Sequence, residues 1–79
     1  MASCDSIRLK NTSGTELILV IEPWAIEFRL PVNSNCEVVS VGGVAQSDME
    51  LEILDDRIVF YVNTPGAVYE YWQDGKLVD

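Results

Sequence analysis

Seventy-nine residues carry thirteen Asp and Glu against five Lys and Arg, a net charge of −8, with two cysteines and no histidine. A chain this short makes one domain and buries only about 60–65% of the surface its unfolded form exposes, so its stability is modest. The charge repels nucleic-acid phosphates and anionic lipid surfaces and so argues against direct binding to either, while the missing histidine removes the commonest general base and zinc ligand.

Residues 1–5 read as a disordered lead to a single all-β domain over 6–79. Nothing here has a basic start followed by a 7–15-residue apolar run, the mark of a secretory signal. Cys4 and Cys36 are therefore expected as free thiols in a reducing cytoplasm, with one structural disulfide as the alternative. The longest apolar run, Leu17 to Ile21, has five residues, far from the ~18–20 that a membrane helix needs.

Ile7-Arg8-Leu9-Lys10 alternates as a half-buried strand does, with Arg8 and Lys10 forming a small basic island on its outer side. Asn11-Thr12-Ser13-Gly14-Thr15 has turn chemistry. Leu17 to Ile21, apolar on both faces and of strand length, reads as a central strand covered on both sides. Glu22-Pro23-Trp24 interrupts the pattern, because proline cannot donate to a ladder. From Ala25 to Leu30 alternation resumes, with Ile26, Phe28 and Leu30 on one side and Ala25, Glu27 and Arg29 on the other. Pro31 ends that strand, Val32 to Asn35 turns, and Cys36 to Val41 is strand-like up to Gly42-Gly43. Val44 to Asp48 gives only weak signals, either a loop or one helical turn.

Met49 to Val62 is the most strongly specified stretch. A two-residue turn at Asp55-Asp56 sets Ile53 against Ile58, Leu51 against Phe60 and Met49 against Val62, so all three apolar pairs share one face. Glu50 and Glu52 then lie opposite Tyr61 and Val59 on the other. Thr64-Pro65-Gly66 has the type II pattern, proline before glycine. Taken as a hairpin, it pairs Val62 with Tyr69, Phe60 with Tyr71 and Val59 with Trp72, although type II turns splay a two-residue hairpin. Asp74-Gly75 signals a tight turn that sets Trp72 against Leu77 and Tyr71 against Val78. Seven to eight short strands with hairpin-length loops predict a small antiparallel meander, closed as a sandwich or barrel. The two halves, roughly 6–41 and 49–78, are expected to supply one sheet each.

The run Ile21-Glu22-Pro23-Trp24-Ala25-Ile26-Glu27-Phe28-Arg29-Leu30-Pro31 resembles small bacterial all-β proteins of uncharacterised function that carry a strand, Glu-Pro-Trp, and a second strand ending in Leu-Pro. The resemblance covers about a third of the chain. It implies a small β domain and assigns no catalytic residue.

With no histidine, no zinc-site cysteine spacing and no phosphate-binding glycine loop, the chemistry left is that of carboxylates. In the register above, Glu50, Glu52 and Glu70 share one sheet face with Tyr61 and Trp72. Such a face suits a protein partner rich in Arg or Lys, or a sugar stacked on a ring. Trp24, at a strand break, reads first as a plug at one end of the core and next as a further anchor. The expected function is that of a non-enzymatic acidic accessory protein that docks a basic protein surface through Glu50, Glu52, Tyr61, Glu70, Trp72 and Trp24, without metal or cofactor. The alternative is a carboxylate-based enzyme or a cation-dependent sugar-binding module using the same face. Surplus apolar surface on the Leu17 and Cys36 strands also predicts a homo-oligomer.

Overall fold

The computed structural model describes residues 4–43 and 48–79. Residues 1–3 of the expected lead and residues 44–47 of the weakly patterned connection lie outside the described residues. Eight strands follow one another: β1 (Cys4–Lys10), β2 (Leu17–Glu22), β3 (Ile26–Leu30), β4 (Asn35–Gly42), β5 (Met49–Ile53), β6 (Ile58–Val62), β7 (Ala67–Gln73) and β8 (Lys76–Leu77). Cys4 and Asp5, assigned to the lead on sequence, open β1.

The strands make two four-stranded sheets, sheet I in the order β1-β4-β7-β8 and sheet II in the order β3-β2-β6-β5. The all-β class predicted from the sequence holds. Within it the order departs from a plain meander, because β2 and β6 pair in parallel. Each sheet takes two strands from each half of the chain, which corrects the expectation of one sheet per half.

The three hairpins follow local chemistry. β5 and β6 pair Met49 with Val62, Leu51 with Phe60 and Ile53 with Ile58, and the Leu54 amide donates to the Arg57 carbonyl at 2.8 Å across the aspartate turn. β7 and β8 turn at Asp74 (φ 51°) and Gly75 (φ 83°), the two positive φ values of a tight hairpin turn, and set Trp72 opposite Leu77. β2 and β3 are joined across a cis Glu22–Pro23 bond, and the Ala25 amide donates to Glu22 Oε1 at 3.1 Å.

The next connection behaves differently. The Ala67 amide donates to the Thr64 carbonyl at 3.1 Å and Gly66 has φ 79°, the geometry that Pro65-Gly66 announces. Yet β6 and β7 do not pair. β7 runs antiparallel to β4 in the opposite sheet, with Tyr71 against Val38 and Glu70 against Val39. The expected pairing of Val62, Phe60 and Val59 with Tyr69, Tyr71 and Trp72 is thereby corrected. A type II turn does not match the right-handed twist that a two-residue hairpin needs, so here it carries the chain across the sandwich.

Between the sheets lie Leu19, Ile21, Leu30, Cys36, Val38, Ile58, Phe60, Val62 and Tyr71. Two aromatic contacts tie the sheets together. Phe28 of β3 stacks on Tyr71 of β7, with centroids 3.9 Å apart and planes at 11°, and Trp24 meets Tyr69 at 4.9 Å and 53°. β2 is central, as its apolar run predicts. Its inner residues Leu19 and Ile21 are fully buried, and on the outer side Val20 is buried among flanking side chains without any second sheet above it.

Cys36 is a buried free thiol on the core face of β4. Leu9 is its partner across the ladder and Cys4 lies five residues further along β1, so the two cysteine Cα atoms stand roughly 16 Å apart. That is more than twice the reach of a disulfide. Burial pushes the Cys36 thiol up from 9.0 to about 11. The folded protein thus holds this proton more tightly than the unfolded chain does. Its stabilising share is complete below pH 9 and is lost as pH climbs through about 11. Thermal unfolding of the wild type is expected to lose about 2–3 kcal/mol more than Cys36→Val across that interval. Equal slopes for the two proteins would refute this assignment.

Candidate functional site

Cross-strand register builds the outer face of sheet II row by row. One row runs Glu27, Val20, Val59, Glu52, with an acid at each edge and two valines between. The next places Tyr61 between Glu22 and Glu50. Val20 and Val59 are buried at 8% and 6% exposure, a flat apolar floor beneath exposed carboxylates. The Tyr61 hydroxyl donates to Glu52 Oε1 at 2.8 Å. That bond, aided by the charges of Glu22 and Glu50, holds the phenol proton above its ordinary range. The two arginines near this face are engaged: Arg29 with Glu16 at 3.1 Å and Arg57 with Asp56 at 3.2 Å. Pairing with Arg57 in turn lowers the Asp56 carboxyl.

Glu70 and Trp72 are elsewhere. Both lie on the outer face of sheet I, across the sandwich from Tyr61, with Glu70 opposite Val39 and Trp72 opposite Glu37. Trp72 donates its indole N–H to Glu70 Oε1 at 3.1 Å. The single acidic and aromatic face expected from the sequence is therefore divided. Glu50, Glu52 and Tyr61 remain together, while Glu70 and Trp72 pair with each other on the opposite side. Trp24 is partly buried and packs against the core beside Tyr69, as the plug reading anticipates. Glu22 and Glu27 join the sheet II face, and sequence alone does not reveal them there. Their placement depends on the parallel β2–β6 ladder, which leaves no mark in local pattern.

Among the described residues, no group of three His, Cys, Asp or Glu side chains is arranged to hold a metal ion. No helix among them is long and apolar enough to cross a membrane. No family model, curated protein or solved structure matches the chain.

Proposed function

We propose that the chain is a non-enzymatic binding module whose outer sheet II face docks a basic protein surface. The observation that carries this is the placement of Tyr61 among Glu22, Glu50 and Glu52, over the buried Val20–Val59 pair. Interfaces of this kind use an aromatic anchor and a dry apolar centre, with charges at the rim that steer the partner and fix its orientation. A flat strand pair presents carboxylates poorly to an ion that needs six or more oxygens, so the cation-dependent alternative has less support. The separation of Cys4 from Cys36 supports a reducing, cytoplasmic setting.

The experiment is capture of a partner from native lysate, followed by affinity measurement as salt is raised. Charge reversal by Glu50→Lys with Glu52→Lys is expected to weaken the complex about 100-fold or more, by analogy with charge pairs worth a few kcal/mol. Trp72→Ala, on the far face, is expected to leave it unchanged. Binding that ignores both salt and charge reversal refutes the proposal.

Leu19, Val20, Ile21, Cys36, Val38 and Val39 are buried within one copy, while Leu17, Ile18 and Val41 stay partly exposed, so β2 and β4 carry only part of the apolar surface expected of them. The observation that favours a second copy is Ile53, 72% exposed at the end of edge strand β5 beside Leu54 at 45%.

A further inference from the structure

The outer face of sheet I carries a trough of about 390 Å³ that the docking proposal does not use. Arg8 and Lys10 of β1 form one wall and Trp72 of β7 the other. Glu37 of β4 lies between, with Asn35 and the Gly75 turn at one end. The volume falls within the range of small-molecule sites, about 300–1,000 Å³.

Three features define what fits. Arg8 and Lys10 are two residues apart on one face of β1, so their Cα atoms stand about 7 Å apart and bracket a single anionic group. Neither has a carboxylate within ion-pairing distance among the described residues, whereas Arg29 and Arg57 both do. Two free cations side by side on a chain of net charge −8 make a local site for an anion. Across the trough, the Trp72 ring is only partly buried, and its N–H bond to Glu70 fixes its orientation. It offers a π face to a flat ring, and base–aromatic stacking tolerates many bases. Trp72 and Arg8 sit two strands apart, about 10 Å between Cα atoms, so ring and anion must be joined by a spacer. Glu37, between them, accepts hydrogen bonds only, which selects a ring bearing N–H donors.

We propose that this trough binds a nucleoside monophosphate whose base carries an exocyclic amino group. The base stacks on Trp72 and presents its amino edge to Glu37, the ribose spans β4, and the phosphate lies against Arg8 and Lys10. The surrounding negative charge acts against nucleic-acid polymers, whose further phosphates extend beyond the two cations. The site is independent of the sheet II face, and either can fail without the other.

The test is a titration of the full chain with AMP, CMP, GMP and UMP, followed by NMR. The Trp72 indole resonance and the amides of Arg8, Lys10, Asn35 and Glu37 are expected to move and saturate, with a Kd below about 1 mM for at least one amino-bearing nucleotide. The signals of Tyr61, Glu50 and Glu52 should stay still. Arg8→Gln with Lys10→Gln, and separately Trp72→Leu, should each weaken binding about tenfold or more with the remaining spectrum unchanged. UMP, inorganic phosphate and the free nucleoside should bind more weakly by a similar factor. Overturning results are no saturable shift up to about 10 mM, shifts confined to sheet II, variants that bind as the wild type does, or phosphate alone binding as tightly as the nucleotide.

Discussion

Replacing Asn11 with aspartate is expected to remove about 3–5 kcal/mol of the protein's stability at pH 7. Asn11 is 1% exposed, and its side chain is the knot between the loop after β1 and the end of β3. Its amide nitrogen donates to the carbonyls of Thr15, Leu30 and Pro31 at 2.9, 3.0 and 3.2 Å. Its Oδ1 accepts the backbone N–H and the hydroxyl of Ser13 at 3.0 and 2.6 Å. Its main chain bonds Ser34 and Asn33 as well. Aspartate keeps the size and the two accepted bonds, but it turns an acceptor-only, charged group toward three carbonyl oxygens. An uncompensated buried charge costs about 3–5 kcal/mol, against a total stability of about 4–12 kcal/mol for a domain of this length. Asn11→Ala removes the donors without adding the charge and should cost less, about 2–4 kcal/mol. The aspartate variant should recover part of its loss on acidification, because the protonated acid is the form that the site favours. Denaturant unfolding at pH 7 and pH 4 checks both statements. A shift within about 1 kcal/mol at pH 7 would show that the knot does not hold the loop.

The second large effect concerns adjacent glycines that sequence treats alike. Gly42 and Gly43 both have positive φ, 82° and 100°. Around Gly42 an added Cβ meets nothing within 4 Å, so Gly42→Ala should cost only the left-handed backbone, about 1–2 kcal/mol. At Gly43 the same atom would come within 2.6 Å of Thr64 Cγ2 and 3.2 Å of the Pro65 carbonyl oxygen. Thr64 cannot easily yield. It is buried, and its Oγ1 accepts the Asp48 amide at 2.7 Å, which ties the start of β5 to the crossover after β6. Overpacking therefore adds about 1–3 kcal/mol to the backbone cost. In urea, Gly43→Ala should show the lower midpoint of the two. Adding Thr64→Ser, which removes the methyl and keeps the hydroxyl, should restore part of it. Equal midpoints for the two alanine variants would mean that the close approach does not exist in solution.

What could be read from the chain was what local chemistry determines. The Asp55-Asp56 and Asp74-Gly75 turns bring together neighbouring residues of opposed pattern, so the β5–β6 register followed pair for pair and Trp72 met Leu77 across β7–β8. Beyond that pair the Tyr71 amide donates to the Asp79 carbonyl instead of pairing squarely with Val78. The alternation of Ile26, Phe28 and Leu30 gave the inner side of β3 in the same way. The Pro65-Gly66 bend was legible too, but the course of the chain beyond it was not. Whether β7 continues beside β6 or crosses to β4 depends on which distant strand offers the better partner, and Val38 against Tyr71 is a contact between segments far apart in sequence. The parallel β2–β6 ladder is of the same kind. Glu50, Glu52 and Tyr61 share one face, as expected, because they belong to one hairpin. Glu70 and Trp72 were misplaced because their position required a long-range choice.

That choice is open to direct observation by NMR in the protein alone. Amide and Hα cross-strand NOEs are expected between Val20 and Val59 and between Val39 and Glu70, the parallel contact of sheet II and the antiparallel contact of sheet I. Cross-strand NOEs joining Phe60 to Tyr71, with none between Val20 and Val59, would return β7 to the edge of β6 and contradict the division of the two faces.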